Sequence, residues 1–97
     1  MKNLLIFPAI EEKLEKKHQV TRREVEQCFA NFEGPLLIDD REDHRTNPPT
    51  HWFLACTNQG RLLKVVFILR DGKIFLRTCY VPNQDEMRIY NDALEAK

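Results

Sequence analysis

Ninety-seven residues carrying a formal net charge of +0 are enough for one small domain, residues 1–97, and too few for two. At 42% hydrophobic and 31% charged the composition is globular rather than disordered, and no apolar run approaches the ~20 residues that a membrane helix needs. Zero net charge excludes nucleic-acid binding by bulk charge alone, but not by a local basic face, and residues 60–78 hold Arg61, Lys64, Arg70, Lys73 and Arg77 against Asp71 alone.

In chain order, Leu4 to Phe7 is a short apolar run too brief for a signal peptide; it reads as a first strand, ended by Pro8. Proline suits the first turn of a helix, and Ile10 and Leu14 give the segment Ala9–His18 one thin buried stripe. Thr21-Arg22-Arg23-Glu24 is a capping box, with Val20 and Val25 placed as a hydrophobic staple. Val25, Cys28, Phe29 and Phe32 follow at helical spacing, and Gly34-Pro35 stops that helix. Leu36–Ile38 is a short strand. Asp39–Pro49 is a polar loop. Three strands follow, Thr50–Thr57, Arg61–Arg70 and Lys73–Val81, joined by turns at Asn58-Gln59-Gly60 and Asp71-Gly72. Pro82 ends the sheet, and Asn83 with Glu86 three residues later opens a last helix running to about Ala96. The fold class is α+β: two N-terminal helices, an antiparallel sheet of four to five strands and a C-terminal helix.

Treating Gln59-Gly60 and Asp71-Gly72 as two-residue turns pairs Cys56 with Leu63, Trp52 with Phe67 and Leu69 with Ile74. One face then carries Trp52, Leu54, Cys56, Leu63, Val65, Phe67, Leu76, Thr78 and Tyr80, and the capped helix is expected to cover it. The opposite face interleaves His51, Phe53, Val66, Ile68, Phe75 and Cys79 with Lys64 and Arg77. Such an open, aromatic and basic sheet face suits single-stranded RNA, whose bases stack while cations hold phosphates. The competing expectation packs the last helix here through Met87, Tyr90 and Leu94, leaving Lys64 and Arg77 to snorkel.

Chemistry is narrowly constrained. The chain has no serine, so a Ser-His-Asp triad is impossible, and its three glycines are all absorbed by turns. Cys28, Cys56 and Cys79 are odd in number and far apart, which argues against a disulfide framework and for the cytoplasm. Cys28 and Cys56 read as buried, and Cys79 as the one cysteine on the mixed face. The cluster Asp39, Asp40, Glu42, Asp43 and His44 lacks the spacing of a cation loop, and no Cys-x-x-Cys suggests zinc. Attack of a ribose 2′-hydroxyl on its own phosphate needs only a base, an acid and a cation. The candidates are His51, Lys64, Arg77, Glu86, Arg88 and Tyr90, and among these only His51 titrates near neutrality unaided.

Several pieces, in this order and spacing, resemble the BrnT toxins of type II toxin–antitoxin pairs, which have a RelE-like ribonuclease fold. They are Lys17-His18-Gln19-Val20, then Val25 to Phe29, Trp52-Phe53-Leu54, Gly60-Arg61-Leu62-Leu63-Lys64-Val65-Val66-Phe67, and Glu86-x-x-x-Tyr90. The resemblance runs from about Leu14 to Tyr90. It implies an endoribonuclease that needs no metal or cofactor, silenced by an antitoxin protein from a neighbouring gene. Taken together with the reading of the sheet face, it gives Lys64, Arg77, Glu86, His51 and Tyr90 as catalytic candidates, and Lys17, His18, Arg61 and Phe75 as candidate RNA contacts. The two strand arginines it implies fall on Phe75 and Tyr80, with Arg77 beside the first. That departure keeps open a second reading, an RNA- or protein-binding module without catalysis on the same scaffold. A homodimer is open, and a membrane partner is not expected.

Overall fold

The computed structural model describes residues 1–39 and 46–96. The chain forms β1 (Leu4–Leu5), α1 (Pro8–Lys13), a π-helical turn (Leu14–His18), α2 (Arg22–Asn31), β2 (Leu37–Ile38), β3 (Thr50–Cys56), β4 (Leu62–Arg70), β5 (Lys73–Tyr80) and α3 (Gln84–Glu95). One five-stranded sheet has the order β1-β5-β4-β3-β2. It is mixed: β1 runs parallel to β5, and the other pairings are antiparallel. Among the described residues no helix is long and apolar enough to cross a membrane.

Local signals account for most of these elements. Thr21 and Glu24 close a capping box on α2, and Asn83 and Glu86 close another on α3. Asp71 (φ 53°) and Gly72 (φ 74°) both lie in the left-handed region, as a type I′ hairpin between β4 and β5 requires. The expected helix Ala9–His18 is instead α1 followed by the π turn. It ends at Gln19, whose left-handed backbone (φ 51°) lets Gln19 and Val20 both donate to the Leu14 carbonyl.

The β3–β4 register differs from the sequence expectation by one residue. The connection is a three-residue loop, with Thr57 facing Arg61 and Gly60 at φ 83°; the Thr57 hydroxyl accepts from the Gln59 and Arg61 amides. Cys56 therefore pairs with Leu62, Phe53 with Val65 and Trp52 with Val66. A one-residue slip exchanges the two faces of a strand. A second irregularity acts on β5: Val66 pairs with Thr78 but Phe67 with Leu76, so Arg77 is the extra residue of a bulge.

These two corrections redraw both faces. The core face carries His51, Phe53, Ala55, Leu63, Val65, Phe67, Leu76 and Cys79. Helix α2 covers it, with Phe29 packed edge-on to Phe53 and Phe67, Phe32 against Phe53, and Cys28 buried beside Ala55. The second face carries Trp52, Leu54, Lys64, Val66, Ile68, Phe75, Thr78 and Tyr80. Helix α3 covers its β3 end: Tyr90 packs on Trp52 at 5.7 Å between ring centres and donates to the Pro35 carbonyl at 2.7 Å. Met87 packs with Tyr90, whereas Leu94 stays exposed. The α3 approach is close, because a Cβ at Gly34 would lie 2.5 Å from the Tyr90 hydroxyl.

Candidate functional site

The second face changes character at Lys64. The residue is only 7% exposed although it carries an ammonium, and a buried charge is costly unless paired. The alkyl stem belongs to the central strand β4, and the ammonium sits 4.5 Å from the centre of the Trp52 ring. Nζ donates to Glu86 Oε2 at 2.6 Å and to the Tyr80 hydroxyl at 3.4 Å, while that hydroxyl donates to the same Glu86 oxygen at 2.7 Å.

Each member arrives by a separate route. Lys64 and Tyr80 are Cα partners across β4 and β5, and Tyr80 reaches this face because of the bulge at Arg77. Glu86 is the third residue of α3. Its Oε1 completes the capping box by accepting from the Asn83 amide at 3.0 Å, which leaves Oε2 for Lys64 and Tyr80. Burial alone would raise the Glu86 carboxyl. Hydrogen bonds from Lys64, the Asn83 amide and Tyr80 outweigh it, and the group is held below its usual range.

His18, at the end of the π turn, lies against Tyr80 with 5.4 Å between ring centres. Desolvation lowers its pKa from 6.5, and repulsion from Lys17 and Lys13 adds to the effect, so the imidazole is uncharged at neutral pH. Arg61 fixes its backbone: the guanidinium donates to the His18 carbonyl at 3.0 Å and the Gln19 carbonyl at 2.7 Å, and pairs with Glu24 at 3.0 Å. Trp52, Lys64 and Glu86 open into a cleft of about 390 Å³, whose other walls are Leu37, Ile38, Asp39, Ile89 and Ala93. An ammonium, a carboxylate and a phenol sharing protons, beside a neutral imidazole, form an arrangement able to hold an anion and move a proton.

The residues singled out in the sequence thus divide. Lys64 and Glu86 meet directly, and His18 joins them through Tyr80. Phe75 and Arg77 line a separate groove farther along the same face. Lys17 is exposed on the π turn. His51 is on the opposite face from Lys64, stacked on Phe67 at 5.9 Å, and its Nδ1 has no hydrogen-bond partner among the described residues. Tyr90 is committed to the Trp52 and Pro35 contacts, and Arg88 is exposed beside Asp85 at 3.3 Å. Trp52 and Tyr80 are absent from the sequence-derived set because the two-residue-turn register puts Trp52, and an unbulged β5 puts Tyr80, on the core face.

The cysteines also require correction. Cys79 is fully buried in the core, where desolvation pushes its thiol far up, and Cys28 is pushed up to about 11 for the same reason. Cys56, expected inside, is exposed. Among the described residues no three His, Cys, Asp or Glu side chains converge as a metal site would require. Of the acidic segment noted in the sequence, Asp40, Glu42, Asp43 and His44 lie outside the described residues, and Asp39 lines the cleft. Compared with protein-family profiles, curated proteins and solved structures, the chain finds no significant match in any of the three.

Proposed function

We propose that the chain is a BrnT-like toxin of the RelE type, cleaving single-stranded RNA by side-chain acid–base chemistry around Lys64, Tyr80 and Glu86, and held silent by an antitoxin protein. The sequence resemblance supplies the class. The observation that carries the location is the buried Lys64–Glu86 pair sharing the Tyr80 hydroxyl at the floor of a cleft. Ion pairs buried this way rarely add net stability over an apolar replacement, so the presence of one here calls for another reason.

In this reading the neutral His18 imidazole takes the proton from a ribose 2′-hydroxyl as that oxygen bonds to phosphorus. The bond from phosphorus to the 5′ oxygen breaks, the leaving oxygen receives a proton from the Tyr80 hydroxyl, and the proton taken up by His18 returns to Tyr80 through solvent, so that Lys64 stays an ammonium throughout. Lys64 also balances the charge growing on the phosphoryl oxygens. Glu86 orients Lys64 and Tyr80 and is displaced from the ammonium when phosphate arrives.

The second reading, a module that binds without cleaving, is favoured by one feature: Phe75 and Tyr80 occupy the positions where the resemblance implies arginines. Induced expression in a bacterial host, following growth and total RNA, separates the two. Arrest with RNA loss, abolished in Lys64→Met/Tyr80→Phe, supports the toxin. Normal growth with intact RNA, together with no cleavage by the pure protein, leaves the binding module.

A further inference from the structure

A second groove, of about 650 Å³, occupies the β4–β5 hairpin end of the second face and shares no residue with the cleft at Lys64. Its floor is Ile68 and Phe75. The backbone beneath is already paired on both sides, Phe75 with Leu5 of β1 and with Ile68 of β4. The floor therefore offers side chains and no strand edge. Phe7 forms one wall, 59% exposed, meeting Phe75 edge-on at 5.9 Å between ring centres. Lys13, Arg70 and Arg77 stand around it, and no described lining residue is acidic. Among the described residues Lys13 and Arg77 make no ion pair, and Arg70 makes only a marginal one, 4.0 Å from the exposed Asp71. A chain of zero net charge has thus collected three cations around one exposed and one half-buried aromatic ring.

We infer that this groove binds single-stranded RNA, its bases against Phe7 and Phe75 and its phosphates on Lys13, Arg70 and Arg77. A ligand fitting it must repeat negative charge and present flat apolar faces between the charges. A polynucleotide strand does both, whereas a duplex hides its base faces. An acidic peptide laid along a sheet would seek an open strand edge, which this floor does not offer. The inference rests on the reading of the chain as an RNA enzyme and assigns that enzyme its substrate-holding surface.

Fluorescence anisotropy with a labelled 2′-O-methyl oligouridine tests it on the whole chain, because that strand lacks the attacking hydroxyl and cannot be cut. Phe75→Ala and Phe7→Ala should each weaken binding about tenfold with an unchanged salt dependence. Phe75→Leu, which keeps the packing, should weaken it similarly. Arg77→Ala and Lys13→Ala should each flatten the slope of log affinity against log salt by about 0.7, whereas Arg23→Ala, an exposed α2 residue outside the groove, should not. Unchanged affinity in all groove variants overturns the inference, as does equal affinity for a duplex or stronger binding of polyglutamate. Groove-dependent binding without cleavage of the unmodified strand sustains the groove and removes the enzyme. Cleavage with groove-independent affinity does the reverse.

Discussion

Removing either Lys64 or Glu86 strands the other charge in a largely buried position. Glu86→Ala should cost about 3–5 kcal/mol in urea unfolding, since it leaves the ammonium unpaired and also breaks the α3 capping box. Lys64→Met/Glu86→Gln should recover most of that loss, because methionine still covers Trp52 and glutamine still caps, while RNA cleavage stays absent. A double variant as unstable as Glu86→Ala would deny the pair its role in the penalty. The pH dependence has a definite sign. With the Glu86 carboxyl depressed in the folded chain, its contribution is complete above the unfolded value of about 4.3 and disappears as pH falls through the lower folded value. His18 carries the activity prediction: cleavage should be maximal above pH 6.5 and fall only as pH drops through the lowered histidine value. Lys17→Ala removes one repelling cation and should move that acid limb upward, which a pH–rate profile reads directly.

At the scale of elements, α3 depends on the smallness of residue 34. Gly34→Ala sets a methyl against the Tyr90 hydroxyl and Leu94, and should cost about 1–3 kcal/mol by forcing the helix outward. A lowered Tm with altered Trp52 fluorescence would register both the cost and the displacement from Trp52. Both capping boxes, the Asp-Gly hairpin, the three long strands and the α+β class were legible from short-range signals. The register was not. Residues 51–55 read His-Trp-Phe-Leu-Ala, and both faces of β3 are covered, so no apolar alternation distinguishes one register from its neighbour. The choice falls to the loop, where Asn58-Gln59-Gly60 supplies three residues rather than two. The bulge at Arg77 likewise has no glycine to announce it. Lys64 and Glu86 were visible as candidates, but Trp52 and Tyr80 were not, because their membership depends on those two backbone irregularities.

Over the whole molecule, the sheet divides its labour by face. One side is filled by α2; the other carries the α3 contact, the cleft at Lys64 and, farther along, the basic groove. The sheet also closes through its most distant pairing in sequence, Leu4 and Leu5 beside Ile74 and Phe75. Leu4 is almost wholly buried, so Leu4→Ala should cost about 2–5 kcal/mol. If β1 docks after the local β3–β4–β5 meander forms, that loss should appear mainly as faster unfolding with little change in the folding rate, a pattern readable from a chevron.

The parallel seat of β1 on β5 also has a consequence during synthesis. Leu4 leaves the ribosome 70 residues before Ile74 does, an interval of about 4–14 s at ordinary bacterial and eukaryotic elongation rates. The strand made first must wait for β5, its partner strand among the described residues, to be translated. Throughout that wait its apolar side chains are unprotected, and once β5 emerges its outer edge stays open to any competing strand until the N-terminus returns to claim it.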